Sequence, residues 1–184
     1  GQRTESRELK AFNDIADFYS VKDRLIVDMT HLSKIGGSSL TDYNMGIPIA
    51  DLNNENIPNS YVPFRNANIL SAATSWAEII YANAIFIGAV EEDSSGYPDC
   101  RQKFFNAFEN AINEGTKPET KIEIITPLIK LSKREIIIKG KDLGAPIELT
   151  WSCYKNEDTP CIECDSCALR ERGFNQAGIK DPIL

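Results

Sequence analysis

Apolar positions follow two alternating periods along the chain, and these periods predict helices and short buried strands in turn. Helical spacing of apolar side chains predicts four helices, over 4–20, 66–81, 98–115 and 132–144. Short apolar runs rich in β-branched residues predict three buried strands, over 24–29, 84–90 and 122–125. Because helices and strands alternate throughout, the pattern favours an α/β fold with a parallel sheet and right-handed crossovers.

Polar residues mark where these helices begin. Asn66 is predicted to cap the second helix, and Pro98 fits the first turn of the third. Ser132 and Glu135 have the spacing of a capping box for the fourth helix. Residues 30–60, rich in Gly, Pro and Asn, predict a long irregular loop of the kind that is usually functional or mobile.

In parallel sheets, ligands bind beyond the carboxyl ends of the strands. The loops after Met29 and Val90 are therefore predicted to face the functional site. Segment 33–39 contains two glycines and three serines, but it lacks the spacing of a phosphate-binding P-loop. We interpret this segment as a flexible loop.

Four of the five cysteines are close together in sequence, at Cys153, Cys161, Cys164 and Cys167. Thiolates at this density favour tetrahedral zinc in a closed, structural four-cysteine site. An iron–sulfur cluster is the alternative, although the spacing matches neither ferredoxin pattern. A redox dithiol would explain only one Cys-x-x-Cys pair. Cys100 stands alone and is interpreted as a buried structural residue.

Composition excludes several classes of protein. The 184 residues include 20 Lys+Arg against 27 Asp+Glu, so the net charge is -7, unlike that of a duplex-binding protein. No apolar run approaches the roughly 20 residues that span a membrane. With no signal-peptide pattern, the odd cysteine count indicates reduced thiols and a cytoplasmic protein. The start at Gly1, without Met, predicts that the beginning of the protein is missing.

Charged residues near two predicted element ends suggest a polar ligand. Arg65 at a helix N-terminus fits an anion site, or equally an ordinary surface ion pair. Glu91 and Asp93 follow the strongest strand, and Asp99 comes soon after. A carboxylate there can accept hydrogen bonds from a guanine-type base, hold Mg²⁺, or belong to a solvated turn. Composition does not choose among these.

Several segments taken together resemble one family, the 7-cyano-7-deazaguanine synthases or QueC family, over essentially the whole chain. The segments are Ser60-Tyr61-Val62-Pro63-x-Arg65-Asn66, Glu91-Glu92-Asp93-x-Ser95-Gly96-Tyr97-Pro98-Asp99-Cys100-Arg101, Pro127-Leu128-Ile129-x-Leu131, Thr150-Trp151-Ser152-Cys153-Tyr154 and Cys161-x2-Cys164-Asp165-Ser166-Cys167-x-Leu169-Arg170, followed by Gly173-Phe174 and Ala177-Gly178.

The resemblance implies an ATP-dependent carbon–nitrogen ligase of queuosine and related deazapurine biosynthesis. Such enzymes convert 7-carboxy-7-deazaguanine and ammonia to 7-cyano-7-deazaguanine, through an acyl adenylate, an amide and a second activation that removes water. The resemblance also implies a PP-loop ATP pyrophosphatase fold, which is of the adenine nucleotide α-hydrolase-like group. Residues 1–150 would form the nucleotide- and base-binding domain, and 151–184 a zinc segment packed on it. ATP with Mg²⁺ is the expected co-substrate, Zn²⁺ the structural ion and a homodimer the expected assembly.

The resemblance also implies roles for individual residues. It implies catalytic roles for Arg65, Asp99 and Arg101 and zinc binding by the four cysteines. The residues expected to bind substrate or nucleotide are Asn66, Glu91, Asp93 and Tyr97.

The chain departs from the family at its start. Members begin with a strand and a Ser-Gly-Gly-x-Asp-Ser phosphate loop, and Gly1-Gln2 resembles the tail of the segment that follows them. Two strands and the phosphate loop are therefore expected to be absent, which is a reason to expect weak or no activity from this chain alone. Phe64 stands where the family often has Gly.

Alternative functions remain open at this point. One is a catalytically silent, zinc-containing α/β module that binds a purine-like base or a protein partner. A second is a related nucleobase ligase with another acceptor. An acidic zinc-ribbon nucleic-acid binder is disfavoured by the charge of -7. We expect the partners of this protein to be small molecules, and we expect no binding to nucleic acid or to a membrane.

Overall fold

The chain divides into two structural units in a computed structural model that describes residues 2–54, 56–91 and 96–184. The cysteine unit comprises Gly1–Val62 and Ser132–Leu184, and the sheet unit comprises Pro63–Leu131. The residues on both sides of residue 150 belong to the cysteine unit.

The described residues contain six α-helices, two 3₁₀ turns and two short strands. In chain order the elements are α1 (Glu5–Phe18), α2 (His31–Ile35), α3 (Arg65–Ile79), β1 (Ala84–Phe86), a 3₁₀ turn (Pro98–Cys100), α4 (Gln102–Gly115), β2 (Glu123–Ile125), α5 (Lys133–Asp142), a second 3₁₀ turn (Ile147–Leu149) and α6 (Asp165–Ala177). None of these helices is both long enough and apolar enough to cross a membrane.

The parallel sheet of the sheet unit confirms the predicted α/β arrangement. Strands β1 and β2 pair in parallel, with Ile85 opposite Ile124, and α4 connects them. The first strand is shorter than the predicted 84–90, although the Ile87 N–H still donates to the Ile125 carbonyl at 3.0 Å. Helices α3 and α4 cover the sheet with an apolar core of Leu70, Ala77, Ala89, Phe105, Ile112, Ile122, Ile124 and Ile129.

The predicted strand over 24–29 is wrong. Residues 24–29 form no regular element in the described chain, and Leu25, Ile26 and Val27 are 46%, 65% and 45% exposed. A strand needs a neighbour to accept and donate its backbone hydrogen bonds, and the described sheet contains only β1 and β2. The carboxyl-end rule therefore applies here to the loop after β1 and not to the one after Met29.

The capping box predicted for α5 is confirmed. The Ser132 hydroxyl accepts a hydrogen bond from the Glu135 N–H, and the Glu135 carboxylate accepts one from the Ser132 N–H at 2.8 Å. This satisfies two backbone donors that a helix start leaves unpaired. Gly144 follows the helix with φ +66°, a left-handed conformation that costs glycine little.

The start of α3 differs from the prediction. The helix begins at Arg65, so Asn66 lies inside its first turn, and the cap position belongs to Phe64. Phe64 adopts the left-handed conformation, with φ 57° and ψ 27°. A residue with a Cβ is strained there, which gives a physical reason for a glycine at this position.

We expect Phe64→Gly to be more stable than Phe64→Ala by about 1 kcal/mol, because only alanine keeps the strained Cβ. Both variants lose the Phe64 ring, which lies 6.0 Å from the ring of Phe104, so their difference isolates the backbone. Urea unfolding of the two proteins measures it. Equal midpoints would show that the left-handed conformation is not strained.

Part of the long loop is held firmly, contrary to the flexible segment predicted at 33–39. Ser38, Ser39 and Leu40 are buried. The Arg3 guanidinium donates to the carbonyls of Ser39 and Met45 at 2.8 Å each, and the Arg3 N–H donates to that of Leu40 at 2.9 Å. An arginine distant in sequence thus anchors the loop, which local composition cannot indicate.

Helix α6 was not predicted, and it packs closely against α5. Gly173 of α6 allows this approach, since a Cβ at that position would lie 2.7 Å from Lys133 Cβ and 2.9 Å from Ile137 Cδ1. The helix ends at Ala177, and Gly178 follows it with φ +66°. A glycine directly after the last turn of a helix is a recognised stop signal, so the sequence carries a local sign of this helix end.

Candidate functional site

The four cysteines converge in the cysteine unit, as expected. Their sulfur atoms all lie within 4.8 Å of one another, and Sγ of Cys161 and Cys167 are 4.0 Å apart. Cys164 is the cap residue of α6 and Cys167 lies in its first turn, so one helix start presents two sulfurs. Cys153 and Cys161 come from the segment that leads into this helix.

The cluster fits a tetrahedral metal ion. Zinc–sulfur bonds of about 2.3 Å place the sulfurs of a tetrahedral site about 3.8 Å apart, close to the 4.0 Å between Cys161 and Cys167. Three backbone N–H groups, those of Lys155, Asn156 and Cys161, donate to Cys153 Sγ at 3.3–3.4 Å. All four thiols are free of disulfides.

The pKa values of the cluster thiols depend strongly on one another. A hydrogen bond from the Cys167 thiol lowers the pKa of Cys164 to about 5, and the same bond raises the pKa of Cys167. Burial raises the pKa of Cys161. One thiolate therefore forms at the expense of its neighbours' ionisation, and a divalent cation is what allows all four to be deprotonated together.

The surroundings of the cluster indicate a closed site. Cys153 and Cys164 are each 1% exposed, and Trp151, Tyr154 and Ile47 pack around them. Four sulfur ligands complete a tetrahedral shell and leave no position for substrate. The site is therefore suited to holding the chain together rather than to catalysis.

In the sheet unit, Asp99 and Asn66 are bound to each other. The Asn66 N–H donates to Asp99 Oδ2 at 2.9 Å, and the Asn66 side-chain amide donates to the Asp99 carbonyl at 2.9 Å and to Cys100 Sγ at 3.3 Å. Asp99 is 3% exposed. Its carboxylate caps α3 in place of the side-chain oxygen that Phe64 lacks, and it fixes the turn that carries Arg65. No local sequence signal indicates this pairing across 33 positions.

A second carboxylate caps the other helix of this unit. Glu91 Oε2 accepts a hydrogen bond from the N–H of Gln102, the first residue of α4, at 2.8 Å. Arg101 occupies the cap position of α4 with an extended backbone, and Tyr97 is buried at the start of the preceding turn. Asp93, also predicted to bind ligand, lies outside the described residues.

The sheet unit therefore gathers most of the predicted polar residues around two helix N-termini. Glu91, Tyr97, Asp99 and Arg101 all lie beyond the carboxyl end of β1, and the Asp99–Asn66 bonds bring the start of α3 to the same loop. Helix N-termini carry partial positive charge and favour anions. The carboxylate of Asp99 lies at the start of α3 and that of Glu91 at the start of α4, so each partial charge already faces a carboxylate of the protein.

Comparisons of the sequence with known proteins identify its family. The chain matches the family described as queuosine biosynthesis protein QueC over residues 1–178. It is 63% identical over 183 residues to the 7-cyano-7-deazaguanine synthase of Chloroherpeton thalassium, a match that covers 100% of this chain and 81% of the relative. Identities are 61% to that of Chlorobium phaeobacteroides and 57% to that of Chlorobaculum tepidum, each over the same shares. The chain belongs to the QueC family of queuosine biosynthesis proteins.

Proposed function

We propose that the chain is an ATP-dependent ligase that converts 7-carboxy-7-deazaguanine and ammonia to 7-cyano-7-deazaguanine. The observation that carries this proposal is the identity of 57–63% over the whole chain to relatives named 7-cyano-7-deazaguanine synthase. The four-cysteine cluster and the polar loop after β1 lie within the same matched region.

The fold that goes with this activity is a PP-loop ATP pyrophosphatase fold, with ATP and Mg²⁺ as co-substrate and a homodimer as the assembly. The parallel pair β1 and β2 with its connecting helix supports this fold. We also propose that residues 151–184 act as the zinc segment and that 1–150 bind nucleotide and base. Zinc supplies a fixed junction among the four cysteines, and their closed, all-sulfur donor set supports that role.

Positive charge at the start of α3 is the feature that suits adenylation. When a carboxylate is activated by ATP, negative charge grows on the departing pyrophosphate and must be stabilised. Arg65 is the first residue of α3, and its guanidinium supplies a positive charge at the start of this helix. Arg101, at the cap position of α4, offers a second cation for a phosphate or for the carboxylate of the base.

The carboxylates divide into two roles in this proposal. Asp99 is buried and bonded to the Asn66 N–H, which supports a positioning role: it holds the turn that carries Arg65. Glu91 is exposed, so a ligand in solvent can reach it. Glu91, with Asp93 and Tyr97, is proposed to read the edge of the base or to hold Mg²⁺.

The proposal is tested with the protein as its gene encodes it, supplied with 7-carboxy-7-deazaguanine, ammonia, ATP and Mg²⁺. Mass spectrometry detects the nitrile product. Formation of 7-cyano-7-deazaguanine that requires both ATP and ammonia is the expected result. A protein that binds zinc and is folded but forms no nitrile would contradict the ligase activity.

We expect Arg65→Ala to lower nitrile formation about 100-fold, because a positioned charge at the developing anion is lost. Zinc content and the circular dichroism spectrum should remain those of the wild type. Lys103→Ala removes an exposed cation from α4 in the same unit and serves as the control, with activity close to wild type. Normal turnover by Arg65→Ala would overturn the role given to Arg65.

A further inference from the structure

Arg170 ties the end of the chain to helix α6. Its Nε donates to Asp181 Oδ2 at 2.6 Å and one terminal nitrogen donates to Asp181 Oδ1 at 2.8 Å, which is the two-pronged pairing that suits arginine and carboxylate. The two side chains are 12% and 5% exposed. Because a buried charge is costly without a partner, each of these side chains depends on the other. The two hydrogen bonds fix the geometry of the pair.

The third nitrogen of Arg170 reaches a different part of the cysteine unit. It donates to Thr150 Oγ1 at 2.8 Å, and the Thr150 hydroxyl in turn donates to the Ile147 carbonyl at 2.6 Å. The Thr150 hydroxyl therefore donates its one proton to Ile147 and accepts a hydrogen bond from Arg170. Thr150 comes three residues before Cys153.

These contacts connect the same two segments that a metal ion would connect. One segment runs from Thr150 to Cys153 and brings the first sulfur, and the other is the start of α6, which brings Cys164 and Cys167. Arg170 lies three residues after Cys167 on that helix. The metal cluster joins the two segments at the sulfurs, and Arg170 joins them one helical turn away.

We propose that Arg170 is a positioning residue for the metal centre: through Thr150 it holds the Cys153 segment against α6, so that four sulfurs converge before an ion binds. The inference rests on the zinc site of the proposed function. A preformed site loses less chain entropy when the ion binds, and groups outside the ligand shell change metal affinity by about 10–100-fold.

Two variants test the proposal at different points. Arg170→Lys keeps the positive charge but cannot contact Asp181 and Thr150 at once, because an ammonium lacks the planar fork. Thr150→Val removes only the hydroxyl and keeps the side-chain shape, so the Arg170–Asp181 pair remains. Thr74→Val is the matched control: the Thr74 hydroxyl likewise donates to a backbone carbonyl, that of Leu70 at 2.7 Å, but it lies in the sheet unit.

The measurement is the rate at which zinc-loaded protein releases zinc to an excess of a chromogenic chelator, at a temperature where all variants are folded. We expect about 10-fold faster release from Arg170→Lys and Thr150→Val, and wild-type release from Thr74→Val. Cobalt(II) substituted for zinc should keep the absorption bands of a tetrahedral thiolate site in all of them, since every ligand is retained.

The outcomes separate the possible failures. Wild-type release by Thr150→Val would overturn the proposal and leave Arg170 as an anchor for the chain end alone. Equal acceleration in Thr150→Val and Thr74→Val would also overturn it, because the effect would then follow from lost stability. If Arg170→Lys does not fold, Thr150→Val decides. A wild-type chain that takes up no zinc would refute the metal centre, whereas nitrile formation tests the ligase activity separately.

Discussion

Replacing Cys153 with serine is expected to remove the metal from the protein and to lower its stability by about 5 kcal/mol. Structural zinc in small four-ligand sites contributes about 10–16 kcal/mol, and loss of one ligand forfeits a large part of it. Serine is also not ionised at neutral pH, so the three N–H groups that face Cys153 Sγ would meet a neutral hydroxyl. Zinc per chain should fall well below one, and the melting temperature by about 15 °C.

The matched control is Cys100→Ser, the cysteine outside the cluster. Cys100 lies in the sheet unit, and its sulfur accepts a hydrogen bond from the Asn66 side chain at 3.3 Å, which a serine oxygen can also accept. Metal content measured by elemental mass spectrometry should stay at one zinc per chain, with the melting temperature within a few degrees of wild type. A Cys153→Ser protein that retains one tightly held zinc would disprove the four-cysteine centre.

Replacing Gly173 with alanine is expected to destabilise the protein by about 2 kcal/mol, because the new methyl group overpacks a tight helix–helix contact. The added Cβ would lie 2.7 Å from Lys133 Cβ and 3.3 Å from the Lys133 carbonyl carbon. Since backbone cannot rotate away as a side chain can, α5 and α6 must move apart. Urea unfolding followed by circular dichroism measures the change in midpoint.

Gly140→Ala is the natural comparison, since Gly140 lies on α5 itself. A Cβ there meets its nearest neighbour, Ile147 Cδ1, at 3.4 Å, which is close to ordinary contact. Alanine favours helix over glycine by about 1 kcal/mol, so this variant is expected to gain up to about that amount. Opposite signs for the two substitutions would locate the close approach at Gly173, and a Gly173→Ala protein of wild-type stability would show that the helices pack more loosely.

The elements that sequence predicted well are those whose signal is local. The capping box of Ser132 and Glu135 depends on residues three apart, and the helix that follows begins where they place it. The cysteine spacing likewise needs only a short turning segment to bring sulfurs together. The prediction of a strand over 24–29 was wrong because an apolar run indicates only a preference for burial. A strand also needs a neighbouring strand, which the run does not specify.

The sequence does not indicate the hydrogen-bond partners of the candidate site residues. Glu91 and Asp99 each have one oxygen bound to a helix N-terminus, and their roles toward a ligand stay predictions. Nothing in the sequence around Asn66 or Gln102 indicates that its backbone N–H donates to a carboxylate distant in sequence. The position of the α3 cap depended on the backbone conformation of Phe64, which composition does not reveal. The ligand role of Asp93 stays a prediction.

The start of α6 has an electrostatic consequence for the metal centre. Zinc bound by four thiolates carries a net charge of about −2, from two positive and four negative charges. Cys164 is the cap of α6 and Cys167 lies in its first turn, so a zinc-loaded cluster would place that dianion at the positive pole of the helix dipole. The helix thereby acts as a counter-charge. It would favour the loaded, fully ionised state of the cluster over the partly protonated metal-free state, and loss of the ion would in turn weaken the first turn of the helix.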